Sequence, residues 1–161
     1  MSWQDVMPEM VRWGINDLNG STYSAGQLEH VLIIAAQYLN GEVDFDTTYT
    51  INMISRTITP DPTTLTTQDD AFINLTVLKA ICIILDSEAR TQSLSAMKVT
   101  DGPSSIDTTA VYNAAKQAAE TACNRYDKAK LDYQMNGVLP GLAITTPTTN
   151  EGQVGSTRTF T

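Results

Sequence analysis

The chain has 161 residues, 42% of them hydrophobic and 17% charged, which suits one core and predicts a single folded domain. Its 18 acids outnumber its 10 bases, and a net charge of −8 argues against a chain built to grip phosphate backbones. No apolar run, Ile81 to Leu85 among them, comes near the roughly 20 residues that a membrane span needs.

A first helix is expected to start near Pro8, which an opening turn tolerates, and to end before Asn19-Gly20. Met7, Val11, Gly14 and Leu18 share one stripe of it, with Trp3 and Trp13 adding apolar surface nearby. A second helix has a sharper start, because Ser24 followed by Gln27 has the spacing of a capping box. Leu28, Leu32, Ala35 and Leu39 then recur at helical spacing up to a stop at Asn40-Gly41. From Asp44 to Pro62 the period shortens and β-branched residues dominate, which reads as one extended strand or an irregular hairpin ended by Pro60-Asp61-Pro62. So small a β element must lie on the helices or pair with a neighbour.

Asp69 or Asp70 can cap a third helix, running roughly from Ala71 to Ala96. Ala71, Leu75, Leu78, Cys82, Leu85 and Ala89 step by fours and threes along it, and Ile73, Val77, Ile81 and Ile84 line an adjacent face. A helix this apolar around its girth belongs in the middle of a bundle or under another subunit. We take Ile73, Val77, Ile81 and Ile84 as candidates for a face shared with an adjacent subunit, against purely internal packing. Val99 to Ser105 reads as a loop broken at Gly102-Pro103, followed by a cap at Asp107 or Thr108. The fourth helix, Thr109 to Asn136, has an expected inward seam of Val111, Ala115, Ala118, Ala122, Tyr126, Ala129 and Tyr133. The two long helices would each span about 40 Å.

The last stretch, 138–161, is rich in Thr, Gly and Pro and lacks the spaced large apolar residues of a packed element. It reads as a flexible or extended docking tail on a helical domain of residues 1–137. Leu142, Ile144, Arg158 and Phe160 are its candidate contacts with a partner. The fold expected is therefore mainly α: a four-helix bundle-like subunit with two long helices, a short extended or β segment, and an extended C-terminal tail.

Little in the sequence suggests catalysis, and no cofactor or metal is expected. His30 is the sole histidine, inside the second helix beside Glu29, with no nucleophile standing out as its partner. Asp44 with Asp46, and Asp69 with Asp70, could be paired carboxylates, but one pair lies in a connector and the other at a helix start. Met1 to Leu18 is interrupted by Glu9, Arg12 and Asp17 and does not resemble a signal peptide, so a cytosolic product is expected. In that compartment Cys82 and Cys123, mid-helix on apolar faces, are expected to be reduced core residues.

The order of these segments resembles the head–tail adaptor (connector or neck) proteins of tailed bacteriophages. Four stretches carry the resemblance: Tyr23-Ser24, the Tyr49 to Pro62 segment, Asp70-Ala71-Phe72-Ile73-Asn74-Leu75 with Leu78-Lys79-Ala80, and Gly102-Pro103-Ser104-Ser105-Ile106-Asp107. The resemblance implies a homo-oligomeric ring, usually a dodecamer, assembled in the host cytoplasm and lodged in the virion neck. It implies binding to the phage portal protein through the C-terminal tail, and a downstream neck or tail protein on the other side. DNA would pass through without specific binding, and an acidic lumen would let it slide. A tail-side neck or tail-completion protein and a non-viral helical interaction module are the other readings. This tail departs from a plain anchor in its length and its Thr content, which leaves its partner open.

Overall fold

The computed structural model describes residues 2–64, 66, 68–95, 98–101, 104–107 and 109–138. The protein is mainly helical, as expected: α1 (Trp3–Ile15), α2 (Ala25–Glu42), α3 (Asp70–Ser95) and α4 (Thr109–Val138), with two small hairpins. Strands β1 (Thr50–Asn52) and β2 (Thr57–Thr59) form one, and β3 (Lys98–Asp101) and β4 (Ser104–Asp107) the other, both antiparallel.

Helix α1 starts earlier than Pro8. Ser2 and Asp5 form a capping box, the Ser2 amide and hydroxyl reaching Asp5 Oδ2 at 2.9 and 3.1 Å, and Pro8 lies buried inside the helix. The Trp3 amide also donates to Asp61 Oδ2 at 3.2 Å, which ties the helix start to the connector before α3. The helix ends at Ile15, earlier than Asn19-Gly20, because Asn16 turns left-handed at φ 60° and closes it. Leu18 therefore falls beyond the helix and Trp13 points outward, 55% and 73% exposed, while Trp3, Met7 and Val11 are buried. The turn into α2 is built on Asp17. Arg12 Nη1 donates to its carboxylate at 3.1 Å, and the amides of Thr22 and Tyr23 at 3.1 and 3.0 Å. Burial opposes ionisation of Asp17, but those amides and Arg12 outweigh it and hold the carboxyl below its ordinary range.

Helix α2 begins at the Ser24–Gln27 capping box and buries Leu28, Leu32, Ala35 and Leu39. It runs through Asn40-Gly41 to Glu42 before Val43 turns extended. The β1–β2 hairpin lies on the helices: Ile58 and Tyr49 are buried in the main core, with Ile51 packed against it. Asp69, of the two expected caps, closes the start of α3. Its Oδ1 accepts from the Phe72 amide at 3.0 Å, and its Oδ2 from the Tyr49 hydroxyl at 2.7 Å.

Helix α3 is the axis of the molecule. Phe72, Ile73, Val77, Ala80 and Ile84 pack with α1 and α2 in the main core. On another face, Leu75 and Leu78 join Leu39, Val43 and Tyr126 in a second cluster shared with α4. The expected loop at Val99 to Ser105 is mostly the β3–β4 hairpin instead, which turns the chain back so that α4 runs antiparallel along α3.

The seam of α4 differs in its first turns. Ala115, Ala122, Tyr126, Ala129 and Tyr133 face inward, but Val111 and Ala118 are exposed and Ala119 is buried, with Tyr112 half-buried. The inward steps 112, 115, 119, 122, 126, 129 and 133 alternate threes and fours, the 3.5-residue period of helices wound about one another. A seam stepped too widely, at Val111 and Ala118, drifts off that contact.

The cysteines also depart from expectation. Cys82 and Cys123 are joined in a disulfide across α3 and α4 with Cα atoms 4.8 Å apart, not held as reduced core thiols. Apolar spacing had placed both on helix faces. The antiparallel pairing of those faces brings them opposite each other, and nothing in either local pattern encodes that pairing.

Candidate interaction surface

At its C-terminal half, α4 is fastened by polar groups gathered on one carboxylate. Glu42, the last residue of α2, accepts from Tyr126 Oη at 2.7 Å and Lys130 Nζ at 2.8 Å, with Lys79 Nζ from α3 at 3.4 Å. Gln134 Nε2 donates to the Glu42 carbonyl at 3.2 Å. The Lys79 ammonium lies 4.5 Å from the Tyr126 ring centroid and 5.4 Å from that of Tyr38, a cation–π arrangement. The Lys130 hydrogen bond, followed by those of Tyr126 and the charge of Lys79, draws the Glu42 carboxyl from 4.5 down to about 2 against its burial. Burial, and then the Glu42 carboxylate, hold the Tyr126 phenol protonated well above its usual range. Further along, Tyr133 packs against Phe45, ring centroids 5.4 Å apart, and Phe45 meets Phe72 edge-on at 5.2 Å.

Beyond this clasp the α3–α4 pair has two unlike flanks. One flank is a groove of about 460 Å³, walled by Gly14 at the end of α1, Leu78, Ile81 and Leu85 of α3, and Ala114, Ala118 and Ala122 of α4, with Gln117, Thr121 and Arg125 of α4 adding polar groups to its lining. The opposite flank carries more charge. Lys79, Asp86 and Arg90 line a groove of about 580 Å³ floored by the Cys82–Cys123 disulfide, and Lys116 and Glu120 border a second opening of about 360 Å³. Exposed apolar side chains continue along the two helices at Leu94, 89% exposed, and at Val111, Leu131 and Met135.

Of the four residues expected on a shared face, the structure places Ile73, Val77 and Ile84 in the chain's own core, at 2%, 5% and 3% exposure. Ile81 alone keeps access to solvent, lining the groove of about 460 Å³. Gly14 explains why Ile81 lies there: a β-carbon at Gly14 would collide with Ile81 Cδ1, so the glycine lets α1 and α3 approach closely. The tail candidates Leu142, Ile144, Arg158 and Phe160 lie outside the described residues. His30 is exposed on α2, and Asp69 serves as a cap. Among the described residues no group of three or more His, Cys, Asp or Glu converges as a metal site would, and no helix is long and apolar enough to cross a membrane.

The clasp of Glu42, Lys79, Tyr126 and Lys130 is what sequence reasoning missed, Tyr126 being expected only as part of the inward seam. A faint signal exists, since Tyr126 and Lys130 are four apart and share a helix face. Their common acceptor at the end of α2 is visible only once the helices are packed. The chain matches no protein-family model, and neither the curated proteins nor the solved structures contain a significant match to it.

Proposed function

We propose that this chain is a structural head–tail adaptor of a tailed phage, a ring subunit seated under the portal that joins capsid to tail and extends the DNA channel. The observation that carries the reading is that the two flanks of the α3–α4 arm are lined differently: Leu, Ile and Ala side chains with one cation, Arg125, on one side, and Lys79, Asp86 and Arg90 around the disulfide on the other. A ring closed head to tail needs two different adhesive faces on each subunit, whereas a two-fold dimer needs one self-complementary face. The resemblance in segment order supports the same reading, and so does the acidity, since a net charge of −8 disfavours a tight hold on DNA moving through a lumen. The 138–161 tail is the anchor to the portal in this reading, with Leu142, Ile144 and Phe160 as apolar contacts and Arg158 as a charged one. Multiplied around a ring, modest contacts per tail give strong attachment.

The experiment is to mix the chain with the portal ring of the same phage and image the product by electron microscopy. A ring-shaped extension under the portal is expected with the full chain and not with one ending at residue 137. Full-strength capture of the truncated chain would remove the anchor role of the tail. No binding by a folded full chain would overturn the adaptor reading and favour a tail-side position.

A further inference from the structure

The Cys82–Cys123 disulfide sits where the way α4 is held changes. On its C-terminal side, Tyr126, Lys130 and Gln134 all reach Glu42, and Tyr126 is buried with Leu75 and Leu39. On its N-terminal side the side chains buried between the two helices are small, Ala119 and Ala122 of α4 and Ala89 of α3; Ile84 is buried too but packs in the main core with α1 and α2, and Tyr112 is half-buried. An alanine seam removes little apolar area from water per turn, so this part of the arm is held more weakly per residue than the clasped part. The disulfide thus bears a larger share of the helix pairing here than it would beside the aromatic cluster.

It is also within reach of solvent. Both half-cystines are half-buried and together floor the groove of about 580 Å³, which Lys79, Asp86 and Arg90 also line, Arg90 paired with Asp86 at 2.9 Å and Lys79 with Glu42 at 3.4 Å. Cys123 borders the second opening as well. With each cation paired to a carboxylate, access for a small thiol, and not a net charge at the groove, is what the geometry supplies.

We propose that Cys82–Cys123 is a redox latch, opened by exchange with a small thiol of the glutathione class, that governs how firmly the arm formed by residues 86–95 of α3 and 109–122 of α4 is held closed. In opening, the small thiolate attacks one cystine sulfur. A mixed disulfide forms and the other cysteine leaves as a thiolate, which takes up a proton. A second small thiol then displaces the remaining cysteine. Two electrons pass to the cystine, two cysteine thiols form, and the two small thiols leave as one disulfide. The oxidised small thiol reverses the sequence. Ile81 and Ala122, the chain neighbours of the two half-cystines, both line the groove on the opposite flank, so opening the latch also loosens that surface. The inference stands whether or not the chain forms a ring.

The test uses the full chain without denaturant, in buffers of reduced and oxidised glutathione. Free thiols are counted by alkylation and mass spectrometry, and amide hydrogen exchange is followed by segment. Reduction is expected under native conditions, with exchange in residues 86–95 and 109–122 faster by roughly ten-fold to a thousand-fold, the upper end set by the loop-closure constraint. Exchange in residues 25–42 and 70–80 should stay put, and oxidised glutathione should restore the arm. The paired substitution C82S/C123S should match the reduced chain, as should C82A/C123A, which leaves no polar atom at the site. Reduction that requires denaturant, an arm whose protection does not change, or exchange that rises uniformly over the chain would each overturn the latch. Loss of helical structure in both paired variants would also overturn it, by making the bond a staple of the whole fold.

Discussion

Two residues state at atomic scale how closely this core is fitted. Gly14 touches Ile81 where α1 crosses α3, and a β-carbon there would collide with the isoleucine's terminal methyl. Gly14→Ala is expected to cost about 1–2 kcal/mol through overpacking, measured by denaturant unfolding. Ile81→Val removes that methyl but keeps Cγ1, 2.9 Å from the added β-carbon, so adding it to Gly14→Ala should recover part of the loss. A double-mutant cycle without coupling would place the strain elsewhere. Thr76 is the opposite case. Its hydroxyl is fully buried and makes no hydrogen bond, a desolvation cost without return. Thr76→Val keeps the shape and drops the polar atom, and we expect a gain of about 1 kcal/mol in unfolding free energy. A loss would mean that the hydroxyl has a partner in solution, such as a bound water.

Among the elements, α4 depends on the clasp at Glu42. The Glu42 carboxyl titrates at about 2 in the folded chain against an ordinary 4.5, so its contribution to stability is fully present above pH 4.5 and fades as pH falls toward 2. Its side chain is 33% exposed, and solvent screening brings the expected contribution to about 1–2 kcal/mol. The difference in stability between the native chain and Glu42→Gln should therefore narrow between pH 4.5 and pH 2. A difference that stayed constant across that range would show that the carboxylate's charge is not what fastens α4. The elements themselves were largely legible in the sequence. Ser24–Gln27 and the acidic pair at the start of α3 are local capping chemistry, and the two apolar rows of α3 correspond to its two partners. Before Ala122 the seam of α4 was legible only at Ala115 and not at Val111 or Ala118, because alanines carry little periodic contrast and its register is set by winding on α3. The β3–β4 hairpin was missed because Gly102-Pro103 reads as a break, while its strands contain no strong alternation.

At the scale of the molecule, what the sequence withholds is pairing between distant residues. Cys82 with Cys123, and Glu42 with Tyr126 and Lys130, are separated by 41, 84 and 88 positions, and each partner has an unremarkable local explanation. The same limit applies to Ile73, Val77, Ile81 and Ile84: one helical row names them alike, yet α1 and α2 cover three and leave the fourth on the groove. This division separates folding from assembly experimentally. Val77→Asp places an unpaired charge in the core and should unfold the chain, costing several kcal/mol. Ala118 is an exposed wall of the groove that Ile81 lines, so Ala118→Glu should change the stability of the single chain by no more than about 0.5 kcal/mol. If that groove receives a neighbouring subunit, the added carboxylate must be desolvated on assembly, and ring formation should fail while the folded chain remains. Analytical ultracentrifugation beside thermal unfolding reads both quantities. Rings that form normally from Ala118→Glu would take that groove out of the interface, and leave the opposite flank and the tail to hold the assembly.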